Sequence, residues 1–235
     1  MAVRVWDRYL TVSDHEHLSC LPRTPVGFGQ KPALLLIDLY RAVFGDKPEP
    51  LMQAIKTWPS SCGRAGWDAV PHIQKLLGAA RAANIPVVHI TMLANSGMLS
   101  WADAAHREAT ARGRTPLDAA ALDRKQRGSE IIDEVAPIAG EVVLRKTAPS
   151  AFWGTPLAGH LTYLGVDTLI VAGESTSGCV RASVVEECVF DRHEATHAIN
   201  LFDMHQKYAD VIALAEAVAH ISARKTENVG ATALV

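Results

Sequence analysis

The chain has 235 residues, of which 49% are hydrophobic and 20% charged, and its formal net charge is −2. This composition is typical of a globular α/β domain, and no apolar run approaches the roughly 18 residues that a membrane span needs. The mixed charges form no basic stripe, and the N-terminus resembles neither a secretory signal nor a transit peptide. We therefore expect a cytoplasmic protein that binds neither nucleic acid nor a membrane.

Residues 1–31 show neither helical nor strand periodicity. We interpret them as an N-terminal arm that covers its own chain or a neighbouring subunit, and residues 32–235 as a single domain. Trp6, Tyr9 and Leu10 would be the apolar anchors of this arm, which predicts a homo-oligomer.

The first predicted strand is Ala33–Leu39, ALLLIDL, with Asp38 near its carboxyl end. Open parallel sheets carry their chemistry at this edge. A carboxylate after an apolar strand must be paired, solvated or protonated, so a structural hydrogen bond is the alternative to a functional role. The segment 45–66 is rich in Pro, Gly and Ser, which predicts a loop excursion, and such loops commonly form lids.

Further strands and helices follow in alternation. The pattern predicts a helix over Trp67–Asn84, a strand over Ile85–Leu93 and a strand over Glu141–Lys146, which brings Lys146 to the same edge as Asp38. We interpret His89, within the second strand, as a core histidine. Residues 95–128 are predicted to be a surface insertion, and a further helix is predicted to begin at Thr155-Pro156 and end at Gly165.

The stretch from Thr168 to Ala182 contains the central motif of the chain. Thr168–Ala172 predicts a buried parallel strand, and the small residues from Gly173 to Gly178 predict a tight turn, so that Cys179 should start a helix. The positive end of that helix would lower the pKa of the thiol. The alternative is a buried core cysteine.

Alternating strands and helices predict a three-layer α/β/α fold with a central parallel sheet. In that fold Asp38, Lys146 and Cys179 reach one edge from three different strands. A base, a cation and a thiol within reach of each other are suited to covalent catalysis.

Four segments carry a resemblance to a known family: LLLIDL (34–39), LRKTAPSAFWGTPLAGHLTYLGVDTLIVAG (144–173), STSGCVRAS (175–183) and NLFDMHQKYADV (200–211). They resemble the isochorismatase-like cysteine hydrolases, in particular the N-carbamoylsarcosine and maleamate amidohydrolase branch. The resemblance implies Asp38 as proton acceptor, Lys146 as linking cation, Cys179 as nucleophile and a tetrameric assembly. It also implies a cis peptide bond before Ser175, with the amides of Ser175 and Cys179 forming an oxyanion hole.

The chain departs from the family pattern at two places. Glu174 stands where relatives have Cys or another small residue, and the strand Val184–Phe190 follows Cys179 without the usual helix and loop. Either the helix after Cys179 is shortened or residues are absent there; in the second case the resemblance matches Arg192 to an arginine that binds a substrate carboxylate, and Arg181 is the second candidate. The candidates for pocket walls are aromatic, with a place in the plain core as the alternative for each: Tyr40, Phe44, Phe152 and Trp153.

No metal or cofactor is expected. Nicotinamidases of the same superfamily bind zinc through an Asp and two His, but no His follows Asp38 closely, and the stretch from Gly173 to Gly178 lacks the dinucleotide fingerprint. The predicted activity is a cysteine-dependent amidohydrolase that forms a thioester and releases ammonia from a small amide or carbamoyl compound. The alternatives are a hydrolase of a neutral ureide such as biuret and a non-catalytic thiol sensor or binding module. Vinyl-ether hydrolysis is disfavoured because those relatives lack the nucleophile that Cys179 would supply.

Overall fold

The computed structural model describes residues 3–20, 23–92, 127–179 and 184–232. Arg181 and nearly all of the predicted insertion at 95–128 therefore lie outside the described residues. No helix in the described ranges has the length and apolarity that a membrane crossing requires.

A six-stranded sheet forms the centre of the molecule, in the order β3-β2-β1-β4-β5-β6. Every neighbouring pair of strands is parallel. Its strands are β1 (Pro32–Ile37), β2 (Val87–Met92), β3 (Val142–Lys146), β4 (Thr168–Glu174), β5 (Val184–Phe190) and β6 (Val211–Ile212). The predicted parallel sheet is thus confirmed.

Helices cover both faces of the sheet. In the part of the chain that the structure describes, the α-helices are α1 (Val12–Cys20), α2 (Arg41–Phe44), α3 (Leu51–Thr57), α4 (Arg64–Ala82), α5 (Leu157–Tyr163), α6 (Glu194–Lys207) and α7 (Leu214–Thr232). Helices α4 and α7 pack on one face with Leu34 and Leu36 of β1, whereas α5 and α6 pack on the other with Leu35 and Ile37. The alternation along β1 follows from the two-residue period of a strand, and it confirms the three-layer architecture.

The N-terminal arm covers its own chain. The Trp6 ring is 4% exposed and lies 6.2 Å, between centroids, from the Phe202 ring of α6. Arg4 pairs with Glu186, and Arg23 pairs with Asp210. The prediction of an arm without regular structure is wrong for Val12–Cys20, which is helical. This helix buries none of its residues, so its sequence shows no apolar stripe.

Strand β4 ends where the backbones of two strands meet closely. Gly173 has φ 123°, and a Cβ at this position would lie 1.9 Å from the carbonyl oxygen of Ile37. Only glycine fits such an approach. Residues 175–183 then connect β4 to β5. Thr176–Cys179 form a turn, and the helix predicted after Cys179 falls on residues outside the described ones.

Candidate active site

Asp38 and Lys146 form a buried ion pair at the carboxyl edge of the sheet. Asp38 follows β1 with an unusual φ of 59°, and Lys146 is the last residue of β3. Lys146 Nζ donates to Asp38 Oδ2 at 2.6 Å and to the carbonyl oxygen of Pro149 at 2.9 Å. The two side chains are 2% and 1% exposed. The structure therefore brings these two residues together as the sequence predicted.

Burial and charge act in opposite directions on the protonation of both members of this pair. Burial raises the pKa of Asp38, against the opposing charge and hydrogen bond of Lys146. Burial alone would lower the pKa of Lys146, but the charge of Asp38 and its hydrogen bond raise it overall. Asp38 Oδ1 has no hydrogen-bond partner among the described residues. One oxygen of Asp38 is therefore fixed by Lys146 and the other is left to accept a proton.

Cys179 joins this pair from the turn after β4. Its half-buried thiol contributes to the pKa of both Asp38 and Lys146. Burial, followed by the charge of Asp38, raises the pKa of Cys179 to about 11, although Lys146 opposes the shift. The prediction of a lowered pKa is wrong, because it rested on a helix N-terminus, whereas the described surroundings supply burial and a carboxylate. The resting group is a neutral thiol.

Asp191, which follows β5, holds the turn that precedes Cys179. Its Oδ2 accepts hydrogen bonds from Ser177 N at 3.0 Å, Ser177 Oγ at 2.7 Å and Thr176 Oγ1 at 3.3 Å. The peptide bond between Glu174 and Ser175 is cis. Sequence reasoning missed Asp191, although it stands directly after a strand at the same edge as Asp38, a signal that was already visible.

Glu174 adds a third carboxyl group to this edge. Its Oε1 lies 3.8 Å from Cys62 Sγ, the thiol that donates to it. Burial, together with the charges of Asp38 and Asp191, raises the pKa of Glu174 to about 7. The carboxyl group thus changes its charge near neutral pH.

Arg192 lies at the same edge, next to Asp191. Its Nε donates to the carbonyl oxygen of Ser61 at 3.2 Å, and its Nη2 donates to that of Ser60 at 2.9 Å. Both serines belong to the segment 45–66, which includes helix α3 and is therefore not the plain loop that was predicted. This segment reaches the site through Arg192.

The predicted aromatic walls differ in where they lie. Tyr40 is 9% exposed, and its pKa is raised by burial and then by Asp38, Glu174 and Cys179, so it borders the cluster. Phe44 is fully buried and packs against Trp67 and Phe190 with ring centroids 5.6 and 5.2 Å apart, so the interpretation of Phe44 as a pocket wall is wrong. Its apolar side chain completes the core beneath the site. Phe152 and Trp153 are 47% and 58% exposed, so the described chain does not enclose them.

No group of three His, Cys, Asp or Glu side chains within the described ranges is arranged to hold a metal ion. Two of the carboxylates at this edge of the sheet bind other groups of the protein. Asp38 binds Lys146, and Asp191 binds the turn before Cys179. Their arrangement is suited to moving a proton between a thiol and a carboxylate.

Residues 32–216 match the Isochorismatase domain. The chain belongs to the isochorismatase family. Its relatives include the maleamate amidohydrolase of Pseudomonas putida, 37% identical over 82% of this chain and 88% of that protein. The N-carbamoylsarcosine amidase of an Arthrobacter species is 31% identical over 84% of this chain and 74% of that protein. Both relatives come from the branch of the family that the sequence motifs resemble.

A solved structure supports the isochorismatase-like fold. The cysteine hydrolase of Pseudomonas syringae pv. phaseolicola superposes with a TM-score of 0.69, at 19% identity, over 87% of this chain and 100% of that chain. At this identity the likeness shows the fold alone.

Proposed function

We propose that this chain is a cysteine-dependent amidohydrolase that cleaves the C–N bond of a small amide or carbamoyl compound and releases ammonia. The observation that carries the proposal is the buried Asp38–Lys146 pair with a free carboxylate oxygen beside the Cys179 thiol. Two isochorismatase-family relatives named as an amidohydrolase and an amidase support the reaction class.

In the first half of the reaction a neutral thiol must lose its proton. Since the pKa of Cys179 is about 11, the thiolate is scarce at neutral pH, and Asp38 accepts the proton as Sγ attacks the carbonyl carbon. The C–N bond then breaks, the nitrogen takes the proton back from Asp38, and ammonia leaves. A thioester remains on Cys179.

The second half returns the enzyme to its starting state. Asp38 takes a proton from water, the water oxygen attacks the thioester carbonyl, and the C–S bond breaks. The thiolate of Cys179 then recovers the proton, and the acid product leaves. Lys146 keeps Asp38 in place through both halves, and the amides of Ser175 and Cys179 are the proposed donors to each tetrahedral oxyanion.

Substrate-binding roles are proposed for two residues at the edge of the cluster. Tyr40 borders Asp38 and Cys179, and Arg192 offers a guanidinium whose remaining donors would bind a polar group of the substrate. A small-molecule substrate, a cytoplasmic location and a homo-oligomer remain predictions.

The alternative of a non-catalytic thiol sensor is disfavoured by one observation. Sensor cysteines react because their pKa is low, whereas burial raises the pKa of Cys179 to about 11. Such a thiol reacts only when a neighbouring base removes its proton, which is the requirement of an enzyme.

The test measures ammonia release from maleamate, N-carbamoylsarcosine and biuret. Cys179→Ala should lower turnover by about a thousandfold or more, and intact mass spectrometry of the wild-type protein should detect an acyl adduct that Cys179→Ala lacks. Cys20→Ser is the matched control, because Cys20 is an exposed free cysteine of α1, and it should keep full activity. Near wild-type turnover in Cys179→Ala would refute the covalent mechanism.

A further inference from the structure

Glu174 occupies a position at the site that the mechanism above does not use. It is the last residue of β4, paired in the ladder with Phe190, and the next residue, Ser175, supplies one of the proposed oxyanion donors. The side chain is half-buried, and its Oε1 contacts the buried thiol of Cys62 at 3.8 Å. Thiols are weak donors, so this contact leaves most of the acceptor capacity of Glu174 unused.

In the described ranges, the two cations near Glu174 bind other groups and form no ion pair with it. Lys146 is occupied by Asp38 and Pro149, and Arg192 uses two of its donor nitrogens on Ser60 and Ser61. Within the described residues Glu174 forms no ion pair. The charged and titratable groups that act on it, or on which it acts, are Asp38, Asp191, Lys146, Arg192, Cys62 and Tyr40.

A carboxyl group in this position would interact differently with neutral and with anionic substrates. An ionised carboxylate only accepts hydrogen bonds, so it matches the N–H groups of a ureide or a primary amide. A substrate carboxylate beside it would meet a like charge at a half-buried position, where Coulomb repulsion is screened less than in bulk water. The single side chain of Glu174 would therefore favour substrates that present N–H groups over substrates that present a carboxylate.

We infer that Glu174 is a specificity-determining residue that binds an N–H donor of a neutral ureide or diamide and disfavours a substrate carboxylate. The inference rests on the proposed amidohydrolase function. It narrows the substrate class, because it favours compounds that carry a second carbamoyl or amide group where other substrates carry a carboxylate.

The opposite arrangement is that Arg192 binds a substrate carboxylate in spite of Glu174. The geometry disfavours it, because Nε and Nη2 already donate to backbone carbonyl oxygens and the fork that would grip a carboxylate with two parallel bonds is partly used. Carboxylate binding by Arg192 predicts a preference for anionic substrates, whereas the role inferred for Glu174 predicts a preference for neutral ones. An experiment can therefore separate the two arrangements.

The pH dependence of the discrimination has a definite sign. Because the pKa of Glu174 is about 7, the group is mostly neutral below that pH and mostly ionised above it. A substrate carboxylate stays ionised throughout this range. Repulsion should therefore increase as the pH rises through 7, and the activity on an anionic substrate should fall relative to a neutral one.

The experiment compares maleamate with maleamide, the neutral diamide in which a second CONH₂ replaces the carboxylate. Ammonia release gives kcat/KM for each between pH 6 and pH 8.5. The ratio of the two values cancels the titration of Asp38 and Cys179, because both substrates share the scissile amide. At pH 8 the wild-type protein should prefer maleamide by about tenfold or more, and the preference should shrink towards pH 6.

Glu174→Gln keeps the size and the acceptor oxygen of the side chain but removes its charge. The variant should raise kcat/KM for maleamate by about tenfold at pH 8 and make the ratio independent of pH. Glu16→Gln, at an exposed position of α1, is the matched control and should behave as wild type. If Glu174→Gln does not fold, the pH dependence of the wild-type ratio still decides the question.

The outcomes distinguish this inference from the function on which it rests. A wild-type preference for maleamate, with a ratio that neither pH nor Glu174→Gln alters, overturns the role of Glu174 while ammonia release that requires Cys179 upholds the amidohydrolase. Absence of ammonia release from maleamate, maleamide and biuret alike overturns both.

Discussion

Polar side chains cluster around a carboxylate at each end of strand β3. The two clusters differ in how completely the oxygens of that carboxylate are hydrogen-bonded. At the amino end, Glu141 accepts from Arg81 Nε and Nη2 at 2.7 and 2.9 Å and from Ile138 N at 3.0 Å, and His89 Nε2 lies 2.9 Å from its Oε2. At the carboxyl end, Lys146 binds one oxygen of Asp38 and the other has no partner among the described residues.

The difference appears in the pKa values of the two carboxyl groups. Burial opposes ionisation in both, but hydrogen bonds from Arg81, Ile138 and His89 lower the pKa of Glu141 to about 2. Burial wins at Asp38, whose pKa is raised in spite of Lys146. A carboxylate with every oxygen bound acts as a structural anchor, whereas one with a free oxygen is able to exchange a proton.

The largest expected effect on activity comes from removing the carboxylate that accepts the proton of Cys179. Asp38→Asn keeps an oxygen for Lys146 but cannot accept a proton from Cys179, so ammonia release should fall by about a thousandfold or more. The folded state should persist, because the buried ammonium of Lys146 keeps two acceptors, the carbonyl oxygen of Pro149 and the side-chain oxygen of the new Asn. Stopped-assay ammonia measurement and thermal unfolding check the two expectations together. Activity within tenfold of wild type would mean that another group is the base.

These clusters also show which parts of the site a sequence can predict. Asp38 and Lys146 were predicted because each ends an apolar strand, and parallel strands bring their carboxyl ends to one edge. The partners of Glu141 were not predicted, since Arg81 and His89 come from α4 and β2 and nothing local couples them. The interpretation of His89 as a core histidine is confirmed by its burial and by this contact.

Two wrong predictions have the same physical origin. The lowered pKa of Cys179 was derived from a local helix, but tertiary burial decided the direction. Phe44 is a candidate for a pocket wall in the sequence, but Trp67 and Phe190 enclose its ring from distant segments. Local sequence patterns give the position of an element, and packing between elements gives the environment of each side chain.

The second expected effect tests the structural cluster. Glu141→Gln should lower the free energy of unfolding by about 3 kcal/mol at neutral pH, which is the value of a pKa shift from 4.5 to about 2. The side chain is 8% exposed, so solvent screening is weak. Ammonia release per folded molecule should stay near wild type. Urea unfolding measures the first quantity, and Glu134→Gln, at an exposed position, is the matched control that should change neither.

The same variant has a pH dependence whose sign is fixed. The folded-state pKa of Glu141 is depressed, so its contribution is fully present above about pH 4.5 and is lost as the pH falls through its folded value of about 2. The stability difference between wild type and Glu141→Gln should therefore be constant near neutrality and shrink between these two pH values. A difference that grows on acidification would contradict the assignment of Glu141 as an ionised anchor.

Asp191 combines the full hydrogen bonding of Glu141 with a place at the same edge of the sheet as Asp38, and the smallest expected effect concerns it. Its oxygens are used as fully as those of Glu141, since Oδ2 accepts three hydrogen bonds from Thr176 and Ser177 and Oδ1 accepts one from Arg192 N. However, what it anchors is the turn that carries Cys179, so we expect a positioning residue. Asp191→Asn puts an amide where one acceptor stood, and the turn should lose its fixed geometry.

A loosened turn misplaces the attacking sulfur in a step where small displacements matter, so Asp191→Asn should lower kcat by about tenfold and leave KM nearly unchanged. Asp203→Asn is the matched control, because Asp203 pairs only with Lys207 on the surface of α6 among the described contacts, and its kinetics should be those of wild type. Steady-state ammonia release separates the two constants. If Asp191→Asn loses as much unfolding free energy as Glu141→Gln but keeps its kcat, Asp191 is a structural anchor that happens to lie at the catalytic edge.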